Sequence, residues 1–126
     1  MYNNNDIKIT NKRKVFYLPK VEFWILDDLS LDVRKGMLYK IILQKEFMIW
    51  NSEYLGVILR CSGRTILRDV DLLCERGLVS KAIKTYGGKP RWVLVANYTE
   101  RGLRSPEEIR ELFNQGFQKL DTFYDM

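Results

Sequence analysis

The chain contains no histidine. Without an imidazole, no Ser-His-Asp or Cys-His catalytic set can form, and the side chain that most often serves as a general base is missing. Cysteine is almost as scarce: Cys61 and Cys74 are the only two, with no CxxC spacing. A structural zinc site takes about four Cys or His ligands, so no metal is expected, and both thiols read as reduced packing residues. No run approaches the ~18 apolar residues of a membrane span and no signal peptide opens the chain. The expected location is the cytoplasm, with no membrane partner. The GxxxxGK[ST] phosphate-loop frame is also missing, since Gly87-Gly88-Lys89-Pro90 lacks its spacing. Glu107-Glu108 reads as part of a helix cap and Asp27-Asp28 as a turn. No carboxylate pair is left for acid–base chemistry, and the expectation is no enzyme, no cofactor and no small-molecule effector.

What the chain does have is unevenly placed positive charge. Its 126 residues suggest one domain and carry a net charge of +5. Residues 1–14 contribute +3, residues 15–59 contribute −1, residues 60–91 contribute +5 and residues 92–126 contribute −2. The 60–91 segment thus holds as much net charge as the whole protein. A basic stripe of this kind is the electrostatic footprint of a polyanion binder, unless it is only a solvated surface.

Residues 1–14 are polar and lack apolar periodicity, which reads as a flexible basic arm. Lys12, Arg13 and Lys14 could lie on phosphates or enter a minor groove, or be incidental charge on a frayed terminus. Val15–Leu18 reads as a short strand or extended lead-in, since Pro19 biases Leu18 away from helix. A short helix is expected within 20–26. Ser30 reads as the N-cap, with Asp32 in the first turn, of a helix running to about Glu46. Leu31, Leu38, Ile41 and Ile42 share one face of it. Phe47–Trp50 reads as a short strand pairing with a later hairpin. Trp24, Trp50 and Trp92 lie in apolar runs and read as core aromatics rather than a stacking platform for single strands.

The 51–98 stretch is the most organised. Asn51–Arg60 reads as a short helix with Leu55, Ile58 and Leu59 inward, followed by a Cys61–Gly63 turn. Ser62 then caps a second helix to Arg76, in which Ile66, Val70 and Leu73 continue the buried face to Leu78, and Gly77 supplies a left-handed stop. Leu67 and Leu72 fall outside that stripe, and either widen the buried face or touch a partner. Strands 78–84 and 91–97 flank the Gly87-Gly88 tip, where positive φ is permitted and Pro90 limits pairing. Along the second strand Trp92, Leu94 and Ala96 point one way, and Arg91, Val93 and Val95 the other. Finally Ser105-Pro106-Glu107-Glu108 forms a capping box opening an amphipathic helix. Its face of Ile109, Leu112, Phe113, Phe117 and Leu120 packs on its own domain or on a second copy, and dimerisation is the expectation.

The string SGRTILRDVDLLCERGLV (62–79) resembles the S-x-R-T-[VI]-x-R-x-[VIL]-x-x-L-x-x-x-G-[LIY]-[IV] pattern of bacterial winged helix-turn-helix proteins, GntR-like regulators among them. FYLPKVEFWILDDLSLDVRKGMLYKIIL (16–43) resembles, more weakly, the opening of N-terminal domains in Gram-positive plasmid replication initiators. There FYK(I/L)PK…LS-x-x-A-K-x-x-Y is usual, and this chain has Val33-Arg34-Lys35-Gly36 at the Ala-Lys position. The resemblance implies an α+β winged helix-turn-helix, a three-helix core with a β-hairpin wing over 15–98, and the capping box places a C-terminal amphipathic helix after it, within 99–126.

In such a fold the second motif helix enters a DNA groove. Ser62 and Thr65 hydroxyls and the free helix N–H groups suit a phosphate, Gly63 permits close backbone approach, and Arg64 and Arg68 can aim outward together. An arginine there can take a guanine edge or a phosphate, or pair with Asp71; Asp69 is placed to orient an arginine. Lys81, Lys84, Tyr86, Lys89 and Arg91 would serve the wing. The expected function is sequence-specific binding of double-stranded DNA by a homodimeric transcriptional regulator. The alternatives are an accessory DNA-binding factor in plasmid or phage replication, partition or conjugation, and a winged-helix protein-interaction module that binds no nucleic acid.

Overall fold

Three antiparallel sheets and five helices make up residues 6–11 and 14–124, the part of the chain that the computed structural model describes. The mixed α+β class is as expected. Strand β1 (Asp6–Asn11) pairs with β2 (Lys14–Pro19), in a register running from Asp6↔Pro19 to Asn11↔Lys14. The flexible-arm reading of 1–14 is corrected for residues 6–11. Ile7 and Ile9 alternate with Asp6, Lys8 and Thr10, a period of two, and pairing with the 14–19 segment satisfies the backbone groups that the two strands turn toward each other. Lys12 and Arg13 lie outside the described residues, and Lys14 begins β2.

The chain divides into two compact units, residues 1–41 with 51–72, and residues 42–50 with 73–126. Four helices contribute to the first: α1 (Phe23–Asp27), α2 (Val33–Gln44, up to Ile41), α3 (Ser52–Leu59) and α4 (Gly63–Glu75, up to Leu72). The cap of α2 is Asp32, not Ser30. The Asp32 carboxylate accepts from the Lys35 amide at 2.9 Å and its carbonyl from the Gly36 amide at 2.8 Å. Ser30 instead takes a left-handed φ of 53°, and Leu31 is buried before the helix begins. Both residue types cap well; burial of the leucine between them decides which one does. Lys35 also pairs with the Asp32 side chain, which holds that carboxyl below the ordinary range. Trp24 is half-buried, edge-on to the fully buried Tyr39 at 6.4 Å, with its indole N–H donating to Glu22.

The second unit is built on a sheet of order β3-β5-β4, with β3 Met48–Ile49, β4 Val79–Tyr86 and β5 Lys89–Ala96. Met48 faces Leu94 across the ladder, which is the pairing expected of the 47–50 segment. Gly87 and Gly88, with φ of 57° and 79°, form the two-residue loop of β4–β5, a turn needing positive φ at both positions. Pairing extends further toward the tip than expected, with Pro90 opposite Thr85. The ring costs no ladder bond there, because β3 pairs only as far as Val93 and Leu94.

Val93, Leu94, Val95 and Ala96 are all buried in this central strand. Helix α5 (Pro106–Tyr124) covers one face, where Val93 and Val95 pack with Leu112 and Leu120, and with Ile109, Phe113 and Phe117 around them. A small hairpin, β6 (Tyr98–Thr99) with β7 (Gly102–Leu103), precedes α5. Of the expected dimerisation face, Leu112 and Leu120 are buried within the chain itself, against the valine face of β5, while Ile109, Phe113 and Phe117 are half-buried. The capping box is half-formed. The Glu108 amide donates to the Ser105 hydroxyl oxygen at 3.1 Å, while the Glu108 carboxylate pairs with Arg104 at 3.0 Å. Trp50 and Trp92 are half-buried and meet edge-on at 5.8 Å, so none of the three tryptophans is a fully enclosed core residue.

Candidate nucleic-acid interface

Helices α3 and α4 are joined by Arg60-Cys61-Ser62. Asn51 caps α3 by accepting from the Tyr54 amide at 3.0 Å. Its far end closes without glycine: Arg60 is left-handed at φ 56°, and the amides of Arg60 and Cys61 both donate to the Gly56 carbonyl. Gly56 is needed for a different reason. A Cβ on it would stand 2.6 Å from the Cys61 carbonyl oxygen, so the helix and the turn touch backbone to backbone. Ser62 caps α4 as expected, accepting from the Thr65 amide at 3.1 Å, and its hydroxyl lies 3.0 Å from the Thr65 hydroxyl. One hydroxyl hydrogen joins the two oxygens, which leaves the other for an outside acceptor. The C-terminal end of α4 is a Schellman closure: Leu78 N–H donates to Leu73 O and Gly77 N–H to Cys74 O, with Gly77 at φ 73°.

The sides of α4 differ sharply. Ile66, Val70 and Leu73 are buried, and so is Asp69, at 1% exposure. Arg64, Leu67, Arg68 and Asp71 are exposed, with Leu67 at 45%. Their spacing of three and four places them on one face. Neither Arg64 nor Arg68 makes an ion pair among the described residues, so both guanidinium groups keep their hydrogen-bonding capacity. A Cβ on Gly63 would stand at ordinary contact distance from Ser52 and Glu53, so the chain itself does not require a glycine there.

Asp69 does orient an arginine, but one outside the motif. Arg34 of α2 donates to it twice, Nε to Oδ2 at 2.7 Å and Nη2 to Oδ1 at 3.1 Å. This fork-to-fork pairing raises the Arg34 pKa and is shielded on the carboxylate side only, since the Arg34 side chain is 43% exposed. It ties α4 to α2 beside Cys61, whose thiol burial pushes upward in pKa. Only the aspartate half was legible in sequence; no local signal points to a partner 35 residues away.

The hairpin residues do not form one surface. Cross-strand register puts Lys84 opposite Arg91 and Tyr86 opposite Lys89 on the face that α5 covers, whereas Lys81 belongs to the opposite face. The Lys81 ammonium lies 4.7 Å from the Trp92 ring centroid and 5.9 Å from that of Trp50. Lys84 pairs with Asp121 of α5, and Tyr86 donates to the same carboxylate. Those contacts hold Asp121 below the ordinary carboxylate range and raise Lys84; burial and the carboxylate together raise Tyr86. Arg91 lies over the Tyr124 ring. Lys89, beside the glycine tip, is exposed with no partner among the described residues. Asp121 and Tyr124 are thus residues of this site that sequence reading missed.

Among the described residues no group of His, Cys, Asp and Glu is arranged to hold a metal ion. No helix among them is long and apolar enough to cross a membrane. No protein-family model matches the chain, and no curated protein matches it. Among solved structures the chain is similar to one described as a "Possible transcriptional regulator from Methanosarcina mazei Go1", with 20% identity over 92% of this chain and 89% of that one, and a TM-score of 0.49.

Proposed function

We propose that the chain is a winged helix-turn-helix protein that binds double-stranded DNA sequence-specifically and acts, as a homodimer on a repeated site, as a transcriptional regulator. One observation carries this reading: Arg64 and Arg68 stand exposed, without an ion pair among the described residues, one turn apart, at the start of a helix anchored by Ile66, Val70 and buried Asp69. An unpaired arginine in the first turns of a rigid helix is suited to a guanine edge or a phosphate. The order of elements, two helices across a short turn followed by a hairpin with a glycine tip, supports the wing assignment. Dimerisation, in this reading, does not use Leu112 or Leu120.

The test is fluorescence anisotropy with duplexes from the gene's own neighbourhood against scrambled duplexes, across a salt series, with an Arg64→Ala/Arg68→Ala variant alongside. Selective binding that the variant loses supports the reading. A bound site overlapping a promoter marks a regulator, whereas an iteron array or a transfer origin marks a replication, partition or conjugation factor. Binding that is equal on all duplexes, or absent near physiological salt, overturns the reading in favour of a protein-interaction module.

A further inference from the structure

The last turn of α5 occupies the groups that a wing would offer to DNA. Asp121 accepts from Lys84 Nζ at 3.0 Å and from the Tyr86 hydroxyl, which also reaches the Phe117 carbonyl at 3.4 Å. The Tyr86 and Tyr124 rings stack with centroids 5.1 Å apart and 21° between planes. The Arg91 guanidinium carbon sits 5.4 Å from the Tyr124 centroid, and Arg91 Nε is a buried donor without a hydrogen-bond partner among the described residues. A carboxylate and an aromatic face, spaced one turn apart, thus meet two cations and a hydroxyl of one hairpin face.

The clasp is open to water: the Lys84 side chain is 51% exposed and that of Asp121 is 40% exposed. An ion pair in this setting is weak and screened by salt, so an outside anion competes with it on nearly equal terms. A phosphodiester also offers Arg91 Nε the acceptor that an aromatic ring does not. Building on the DNA-binding reading above, we infer that the last turn of α5 is an autoinhibitory latch, in which Asp121 and Tyr124 hold Lys84, Tyr86 and Arg91 until a nucleic-acid backbone displaces them. The wing then contributes to affinity only after the latch opens, and a duplex held by α4 alone is bound with fewer phosphate contacts.

Asp121→Asn keeps the size of the side chain while removing the competing charge. Measured by anisotropy against salt on the cognate duplex, this variant is expected to bind with a slope steeper by about one unit, so that the affinity ratio between 50 and 200 mM salt grows by about 3.5-fold. Lys84→Ala in the Asp121→Asn background should cancel that gain. Glu111→Gln, on an exposed position of the same helix, controls for the general change in net charge. An equal gain in Glu111→Gln, or an unchanged slope in Asp121→Asn while Arg64→Ala/Arg68→Ala still abolishes binding, overturns the latch and leaves the recognition helix standing. Failure of the unaltered protein and of Asp121→Asn to bind any duplex removes the latch together with the DNA-binding reading.

Discussion

Replacing Gly56 by alanine sets two known effects against each other at the joint between α3 and α4. An alanine in a helix interior is favoured over glycine by about 0.8–1 kcal/mol, so on propensity alone the substitution stabilises. Against this, the new Cβ would lie 2.6 Å from the Cys61 carbonyl oxygen and 3.3 Å from both the Gly63 nitrogen and the Ser62 carbonyl carbon. Ordinary contact begins near 3.4 Å, so the turn must open by about 0.8 Å. None of the three atoms belongs to a side chain that could rotate away. The Gly56 carbonyl also receives the Arg60 and Cys61 amides, so opening the turn strains the bonds that end α3. Overpacking of this kind costs about 1–3 kcal/mol, and contact with backbone places it at the upper end. The expected net is a loss of about 1–2 kcal/mol once the propensity gain is subtracted. Urea unfolding would read it as a lower midpoint at unchanged slope. A variant as stable as the parent, or more so, would refute the claim that this turn is closed against backbone.

Four further outcomes follow from the same geometry. Asp69→Ala, which strands Arg34, should cost about 1.5–3 kcal/mol in urea unfolding, the range for hydrogen bonds to charged groups; a cost above that range would show that Arg34 cannot rehydrate despite its exposure. Arg60→Gly relieves a left-handed non-glycine residue and should raise stability by about 0.5–1 kcal/mol on thermal unfolding; a decrease would assign the Arg60 side chain a structural contact. The Asp121 carboxyl is held low by Tyr86 and Lys84, so its contribution is complete above the ordinary carboxylate pKa of about 3.9 and is lost as pH falls through its lowered value. Ring signals of Tyr86 and Tyr124 should shift together in that acid range, and Asp121→Asn should abolish the step. Burial raises the Cys61 thiol, so at neutral pH it should alkylate more slowly in the native protein than in urea; equal rates would contradict that environment.

Much of the local architecture was legible because its causes lie within a few residues. Ser62 and Ser105 cap the helices they precede, Gly77 ends α4, and Gly87-Gly88 turns the hairpin, each through backbone geometry set by immediate neighbours. Failures arose where two neighbours could do the same job or where the partner was distant. Ser30 and Asp32 are both good caps, and the burial of Leu31 decided for Asp32. Alternation in residues 6–11 is masked in the sequence by the asparagines, lysines and 12–14 basic cluster that surround it. The apolar face of α5 could be read but not its occupant, since an amphipathic pattern specifies that a face is covered and not by what.

The division follows range. Periodicity, caps and turn glycines, all acting over one helical turn or one strand pair, are enough to write down α3, α4, the β4–β5 hairpin and α5 from the residues alone, and with them the exposed Arg64–Arg68 face. Pairings across tens of residues required the folded chain: Arg34 with Asp69, Val93 and Val95 with Leu112 and Leu120, and Lys84, Tyr86 and Arg91 with the last turn of α5. A charge run shows where cations lie along the chain. Whether those cations face solvent or an internal carboxylate depends on which element packs across them, and only the tertiary structure decided that.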